Sequence, residues 1–224
     1  MQRILKLPLA NAIADSALRE SIWSITAESY ANPDILLGQE YKKNNQVYLS
    51  LTLDGTVEAF FMVGWSDIEL HDKRLDCVFL GLSAVTTARK GGVLAVNLYR
   101  RFFEDAGKVS ASSGQAVTWW FHTASPIVAG ILQRLRPDMS PHPDGAVLSA
   151  HRDLLAAIQR SHGFTPFLDP GIPCVLRGFA QARYAPSEVA RLESRSSRNL
   201  SLIDRWKVDE SSGDRVLFVG ECHP

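Results

Sequence analysis

Between residues 46 and 85 the apolar positions follow a β rather than a helical rhythm. The stretch "QVYLSLTLDGTVEAFFMVGWSDIEL" holds two β-type runs around Asp54-Gly55, a dipeptide whose glycine accepts positive φ and therefore marks a tight hairpin. Strands are predicted near 46–53 and 57–66. A third run, "LDCVFLGLSAV" over 75–85, is almost wholly apolar, as suits a strand covered on both faces, and is expected at the centre of the sheet.

Elsewhere the period lengthens. Leu18, Ile22 and Ile25 recur at helical spacing, which predicts a helix over 16–30 with Asp15 or Ser16 as its cap. Leu94, Leu98 and Phe102 form one stripe of a second helix over 93–106, with Gly107 expected to end it. "AVTWWFH" (116–122) reads as a strand. Its adjacent Trp119 and Trp120 must point to opposite faces, so at least one is expected in the core and the other is free to line a cleft. Ser125-Pro126 then caps a helix carried by Ile127, Val128, Ile131, Leu132 and Leu135 and stopped by Pro137.

The proline-rich stretch "RPDMSPHPDG" is read as an extended loop bordering a substrate site. After it come a helix over 149–161, a strand in "CVLRGFAQA", a helix over 186–198 and a last strand over 215–221. The order helix, hairpin, strand, helix, strand, helix places the chain in the α/β class with a mixed sheet. One domain is expected over 1–224, with a core at 10–136 and an extension, 137–224, that completes the sheet.

Composition narrows the functions. The 224 residues are 46% hydrophobic, and Lys+Arg and Asp+Glu stand at 24 each, so no global basic excess points to nucleic acid. Any anion site must be local. Cys77, Cys174 and Cys222 lack the spacing of a zinc site or a disulfide framework, which suits a reducing cytoplasm. Pro8, Asn11 and Asp15 interrupt what could otherwise pass for a signal-peptide core, and no apolar run reaches the ~20 residues of a membrane span. Asn199-Leu200-Ser201 is read as a chance sequon. His142, His151 and His162 are not spaced to put two ligands on one helix face, so no metal is expected. "HRDL" (151–154) has Ile158 where a kinase catalytic loop needs asparagine.

The junction "VTTARKGGVLAVNLYRRF" (85–102) carries the local anion chemistry. A strand ending in a glycine-containing turn before a helix aims unpaired N–H groups and the positive end of the helix dipole at one spot. Gly91 and Gly92 permit close backbone approach, and Arg89 and Lys90 can add charge-assisted contacts, which together suit a phosphate or pyrophosphate. A tight turn with both cations solvated is the alternative. Neither the Walker spacing nor Gly-x-Gly-x-x-Gly is present.

With Val85 closing the strand, Arg89 in the Arg/Gln place and Gly92 as the first glycine, the segment resembles the GNAT acyltransferase superfamily, whose loop reads Arg/Gln-x-x-Gly-x-Gly/Ala. Leu94 stands where that pattern has a small residue. The resemblance covers roughly residues 10 to 136. It implies a GNAT-like mixed, mostly antiparallel central sheet with flanking helices, and acetyl-CoA or another acyl-CoA as co-substrate. The implied CoA contacts are Val85, Thr87, Arg89, Lys90, Gly91, Gly92 and Val93, with Ser125 at the next helix start. The implied reaction is direct attack of an amine on the thioester in the gap between strands 75–85 and 116–122.

The acceptor is left open between a small-molecule or amino-acid amine and a protein amine, and homodimerisation is open. Candidates for the chemistry are His122, whose ordinary pKa near ~6.5 suits proton transfer, Ser83 as a hydrogen-bonding group, and Asp67 with Glu69 as alternative carboxylates. "CVFLGLSAV" has no central glutamate and "SPIVAGILQRL" no tyrosine. Tyr99 and Tyr184 lie outside the places where relatives carry the tyrosine. Two other readings remain open. One takes the acyl group from acyl carrier protein, with Phe60, Phe61 and Trp65 lining an acyl tunnel; the other is a non-catalytic binding protein. Arg191, Arg195 and Arg198 would share one helix face, either solvated or touching a 3′-phosphate or an acidic carrier.

Overall fold

The computed structural model describes residues 3–196 and 202–224. In chain order the elements are β1 (Arg3–Pro8), α1 (Leu9–Ala14), α2 (Ser16–Ala27), α3 (Pro33–Lys43), β2 (Gln46–Leu51), β3 (Val57–Leu70) and β4 (Lys73–Val85). A 3-10 turn (Thr87–Arg89) leads into α4 (Leu94–Ser113), β5 (Val117–Thr123), α5 (Pro126–Leu135), α6 (Ser149–Ser161), β6 (Val175–Leu176), α7 (Pro186–Ser196), α8 (Leu202–Arg205) and β7 (Arg215–Cys222).

The strands form one seven-stranded sheet ordered β1-β2-β3-β4-β5-β7-β6. Every pairing is antiparallel except β4 with β5. The apolar 75–85 run is indeed the central strand, and Gly55 turns the β2–β3 hairpin at φ 89°.

Two layers of helix cover the sheet. One face, built from Phe61, Val78, Trp119 and Phe218, packs against Leu98 and Phe102 of α4. The other carries two clusters, Phe60, Met62 and Leu82 against α1–α3, and Phe79, Trp120 and Val219 against Leu154 and Ile158 of α6. Each fully buried large side chain contributes about 2 kcal/mol of transfer free energy. A register shift opposite Met62, between the pairs Phe61↔Ser83 and Val63↔Leu80, puts an extra residue into β4 and lets both Phe79 and Leu82 face the same layer.

Several expectations are corrected. Helix α4 runs through Gly107 and ends at Gly114, whose φ of 68° supplies the left-handed cap. One interior glycine costs a helix about 1 kcal/mol, less than the packing of Phe102, Ala106 and Ser110 returns. Of "CVLRGFAQA" only Val175 and Leu176 are strand. Arg177 is drawn out by Asp169 (2.9 Å) and Asp214 (2.6 Å), and Gly178 at φ 60° breaks the extension. Phe60 and Phe61 are fully buried on opposite sides of β3 and serve the core rather than a tunnel. The hydrophobic pattern does not mark β1, α1, α3 or the short α8: β1 pairs at the edge with β2, and α3 starts on Pro33, whose fixed φ suits the first helical turn. Arg198 and the sequon Asn199-Leu200-Ser201 lie outside the described residues.

Candidate functional site

Strands β4 and β5 pair only over Cys77↔Thr118, Val78↔Trp119 and Phe79↔Trp120, then part. β5 continues with β7 instead. Thr86 N–H donates to Glu58 C=O (2.9 Å) across the pair that continues the β3–β4 register. Antiparallel alternation therefore turns the amides and carbonyls of Val85 and Ser83 away from β3, toward the opening β5 has left.

The gap holds a cavity of about 470 Å³ that passes through the sheet. On the α4 side Leu80, Tyr99, Phe121, Val128 and Leu132 line it. On the other side stand Phe79, Trp120, Phe164 and Phe179 with His122 and His162. Of the tryptophan pair, Trp119 is wholly buried and Trp120 lines the cleft.

A carboxylate unmarked by any sequence motif reaches this gap. Glu40, 5% exposed, projects from α3, where Leu36, Leu37 and Glu40 share the buried stripe. Its Oε2 accepts from Leu82 N–H (3.2 Å) at the β4 bulge and from Asn44 Nδ2 (2.9 Å), while Lys43 Nζ lies 3.5 Å from Oε1. The approach depends on glycine. A Cβ on Gly64 would stand 2.1 Å from Lys43 C=O, and one on Gly81 would stand 2.3 Å from Asn44 Oδ1. A charged residue on the buried stripe of an amphipathic helix was the signal that could have revealed Glu40.

His122 sits against Phe79 and Phe179, with ring centroids at 5.5 and 5.1 Å. An edge of its ring opens to the cavity, but its Nδ1 is sealed from solvent and has no hydrogen-bond partner among the described residues. Burial, then the positive charges of Lys43 and Arg215, pushes its pKa down to about 3. The ring is neutral at pH 7 and holds a proton far less readily than an ordinary histidine.

Ser83 Oγ lies 2.6 Å from the Tyr99 hydroxyl at the cavity wall. Burial raises the Tyr99 phenol to about 12, against the opposing effect of the Ser83 hydrogen bond. Tyr184 enters the cavity from the segment before α7. Its backbone bridges Tyr30, their rings are 5.1 Å apart, and burial raises both phenols. Asp67 is not brought to the site: it is paired with Arg74 at the far end of the β3–β4 hairpin, and Glu69, opposite Arg74, stays there too. The loop 136–145 is also absent from the cavity wall, since Ser140 is bonded to Val219 of β7.

At the junction, Asn97 N–H to Val93 C=O (2.9 Å) is the first bond of α4, so the amides of Leu94, Ala95 and Val96 are left for another partner. Gly91 adopts φ 90° and Val93 is 62% exposed. Both cations are ion-paired, although Arg89 also stays exposed to solvent. Arg89 Nε pairs with Glu58 (3.1 Å), and Lys90 Nζ with Glu188 of α7 (2.9 Å) in a nearly enclosed contact. Thr87 N–H donates to the Glu28 carboxylate. Burial alone would raise the Glu188 carboxyl, but hydrogen bonds and charge from Arg191 and Lys90 hold it below its ordinary value. Ser125 caps α5 by accepting from Val128 N–H (3.3 Å). Among the described residues no cluster suited to a metal ion occurs, and no helix is long and apolar enough to cross a membrane.

No protein-family model and no curated protein matches the sequence. Solved structures do. YhbS, a GNAT family N-acetyltransferase from Escherichia coli in complex with CoA, is 16% identical over 58% of this chain and 65% of that one, with a TM-score of 0.40. A probable N-acyltransferase from Enterococcus faecalis V583 is 13% identical over 62% of this chain, which spans only 32% of its length, with a TM-score of 0.45. The ribosomal-protein-S18-alanine N-acetyltransferase of Escherichia coli aligns over 100% of this chain and 96% of its own, at 10% identity and a TM-score of 0.50. With a mixed, mostly antiparallel sheet split between its two parallel central strands and helices on both faces, the chain has the GNAT-like fold of the N-acetyltransferases.

Proposed function

We propose that the protein is an N-acyltransferase that takes its acyl group from coenzyme A and passes it to an amine. The observation that carries this reading is the cavity through the sheet where β4 and β5 part, with the free α4 amides at one end and a buried carboxylate beside the gap. A diphosphate at the turn Arg89–Val93 would accept from those amides, with Lys90 held back by Glu188. Its thioester arm would then enter the gap from the α4 side.

In this reading the amine nitrogen attacks the thioester carbonyl, a C–N bond forms and the C–S bond breaks. The cleft-facing amides of Ser83 and Val85 are placed to stabilise negative charge growing on the carbonyl oxygen. Glu40 takes the proton that the amine loses, and the neutral imidazole of His122 serves binding. Tyr99 and Tyr184 keep their phenolic protons at pH 7 and are the donors available to the leaving thiolate.

Calorimetry with acetyl-CoA, longer acyl-CoAs and free CoA tests the reading: micromolar binding is expected, followed by amine-dependent release of CoA. Absence of binding to all of them would remove coenzyme A as donor and leave acyl carrier protein or a non-catalytic role. One observation favours the latter, namely that Arg89 and Lys90 are already engaged by carboxylates.

A further inference from the structure

The room left on the α6 side of the gap is walled by rings. Phe79 and Trp120 lie 4.5 Å apart between centroids, as do Trp120 and His162, and Phe164 and Phe179 lie 5.1 Å apart. These rings come from β4, β5, the end of α6 and the irregular segment after β6, and all of them line the same cavity. Phe60, Phe61 and Phe102, by contrast, are sealed in the core.

The ring of His122, 5.1 Å from Phe179 between centroids, belongs to the same wall and presents an edge to the cavity. Glu40 completes the set at the gap, where a primary amine would meet the thioester.

We infer that the acceptor is a primary alkylamine carrying a planar aromatic ring, the ring held among Phe79, Trp120, His162, Phe164 and Phe179 and the amino group directed at Glu40. Aromatic ring pairs favour offset-stacked or edge-to-face packing and gain affinity beyond area burial, so a ring outcompetes an alkyl chain of equal size. The inference rests on the acyltransfer reading only in calling this ligand the acceptor.

The test is calorimetry of tryptamine and of hexylamine, each with and without CoA, beside acetyl-CoA binding and CoA release with both amines. Tryptamine is expected to bind about tenfold or more tightly than hexylamine and to be the better acceptor by a similar factor in kcat/KM. Phe179→Leu, which keeps apolar bulk but removes one ring from an irregular segment, should cut that preference at least about threefold while the thermal transition stays cooperative. Equal or better use of hexylamine by protein that binds acetyl-CoA would overturn the aromatic assignment and leave acyl transfer standing. Selective tryptamine binding without any acetyl-CoA binding would keep the aromatic pocket and overturn the acyltransfer reading. Binding of neither amine, with or without CoA, would overturn the pocket assignment.

Discussion

The turn at 85–93 and the cavity that opens beside β4 are built by opposite means. The turn comes from consecutive residues: a strand end, a 3-10 turn, a glycine at φ 90° and a helix start. The cavity is assembled from α3, β4, α4, β5, α5, the end of α6, the segment after β6 and Arg215. Yet the turn's electrostatics are as non-local as the cavity, because Glu28, Glu58 and Glu188 arrive from three other places to engage Thr87, Arg89 and Lys90. Local sequence can specify where amides point. Which charges meet there is set by elements far away along the chain.

The sharpest way to separate the two regions is to change the cavity and spare the turn. Glu40→Gln keeps the volume and an acceptor for Leu82 and Asn44, so acyl-CoA affinity should hold while kcat falls ~10²–10⁴-fold, the usual range for loss of a general base. A steady-state assay with matched calorimetry reads both quantities, and an unchanged kcat would take Glu40 out of the chemistry. The converse change is Gly92→Asp. A Cβ there meets only Arg89 C=O at 3.3 Å, so folding should survive, but a carboxylate facing the diphosphate should weaken acetyl-CoA about 100-fold. Unaltered affinity would remove the turn from the site.

Smaller effects probe how far the distant carboxylates temper the turn. Glu188→Gln releases Lys90 from its closest partner, and acetyl-CoA binding should tighten about fivefold, since a charge-assisted contact becomes available to phosphate. Weaker binding would mean that α7 holds the turn in its competent shape. The least effect on acetyl-CoA binding and the clearest on stability belongs to His122. Its folded pKa of about 3 lies below the unfolded value, so between those values the unfolded chain binds more protons and stability drops as pH falls from about 6.5 toward 3. His122→Gln should flatten that fall by up to ~1.4 kcal/mol per pH unit in denaturant titrations. An unchanged slope would assign the acid sensitivity to His151 and His162, whose pKa values are also lowered by burial.

Much of the fold was legible in local patterns. The hairpin at Gly55, the central apolar strand, the Ser125-Pro126 cap and the helix over 149–161 depend on spacing and turn chemistry contained within a few residues. The misreadings were of other kinds. Gly107 looked like a helix end because the packing that carries α4 past it is tertiary. Residues 177–182 looked like a strand because Asp169 and Asp214, which draw Arg177 away, are not adjacent to it.

By itself the sequence determined the alternation of strands and helices, the central place of 75–85 and the backbone shape of the 85–93 turn, since hydrophobic period and glycine placement act over short range. Only the tertiary structure decided that β4 and β5 part after Phe79 and Trp120, that Glu40 reaches the β4 bulge over two glycines, and that Tyr184 and a ring-lined wall close the cavity. Those features require residues from about forty to more than a hundred positions apart to meet, and only the packing of helices on both faces of a split sheet brings them together.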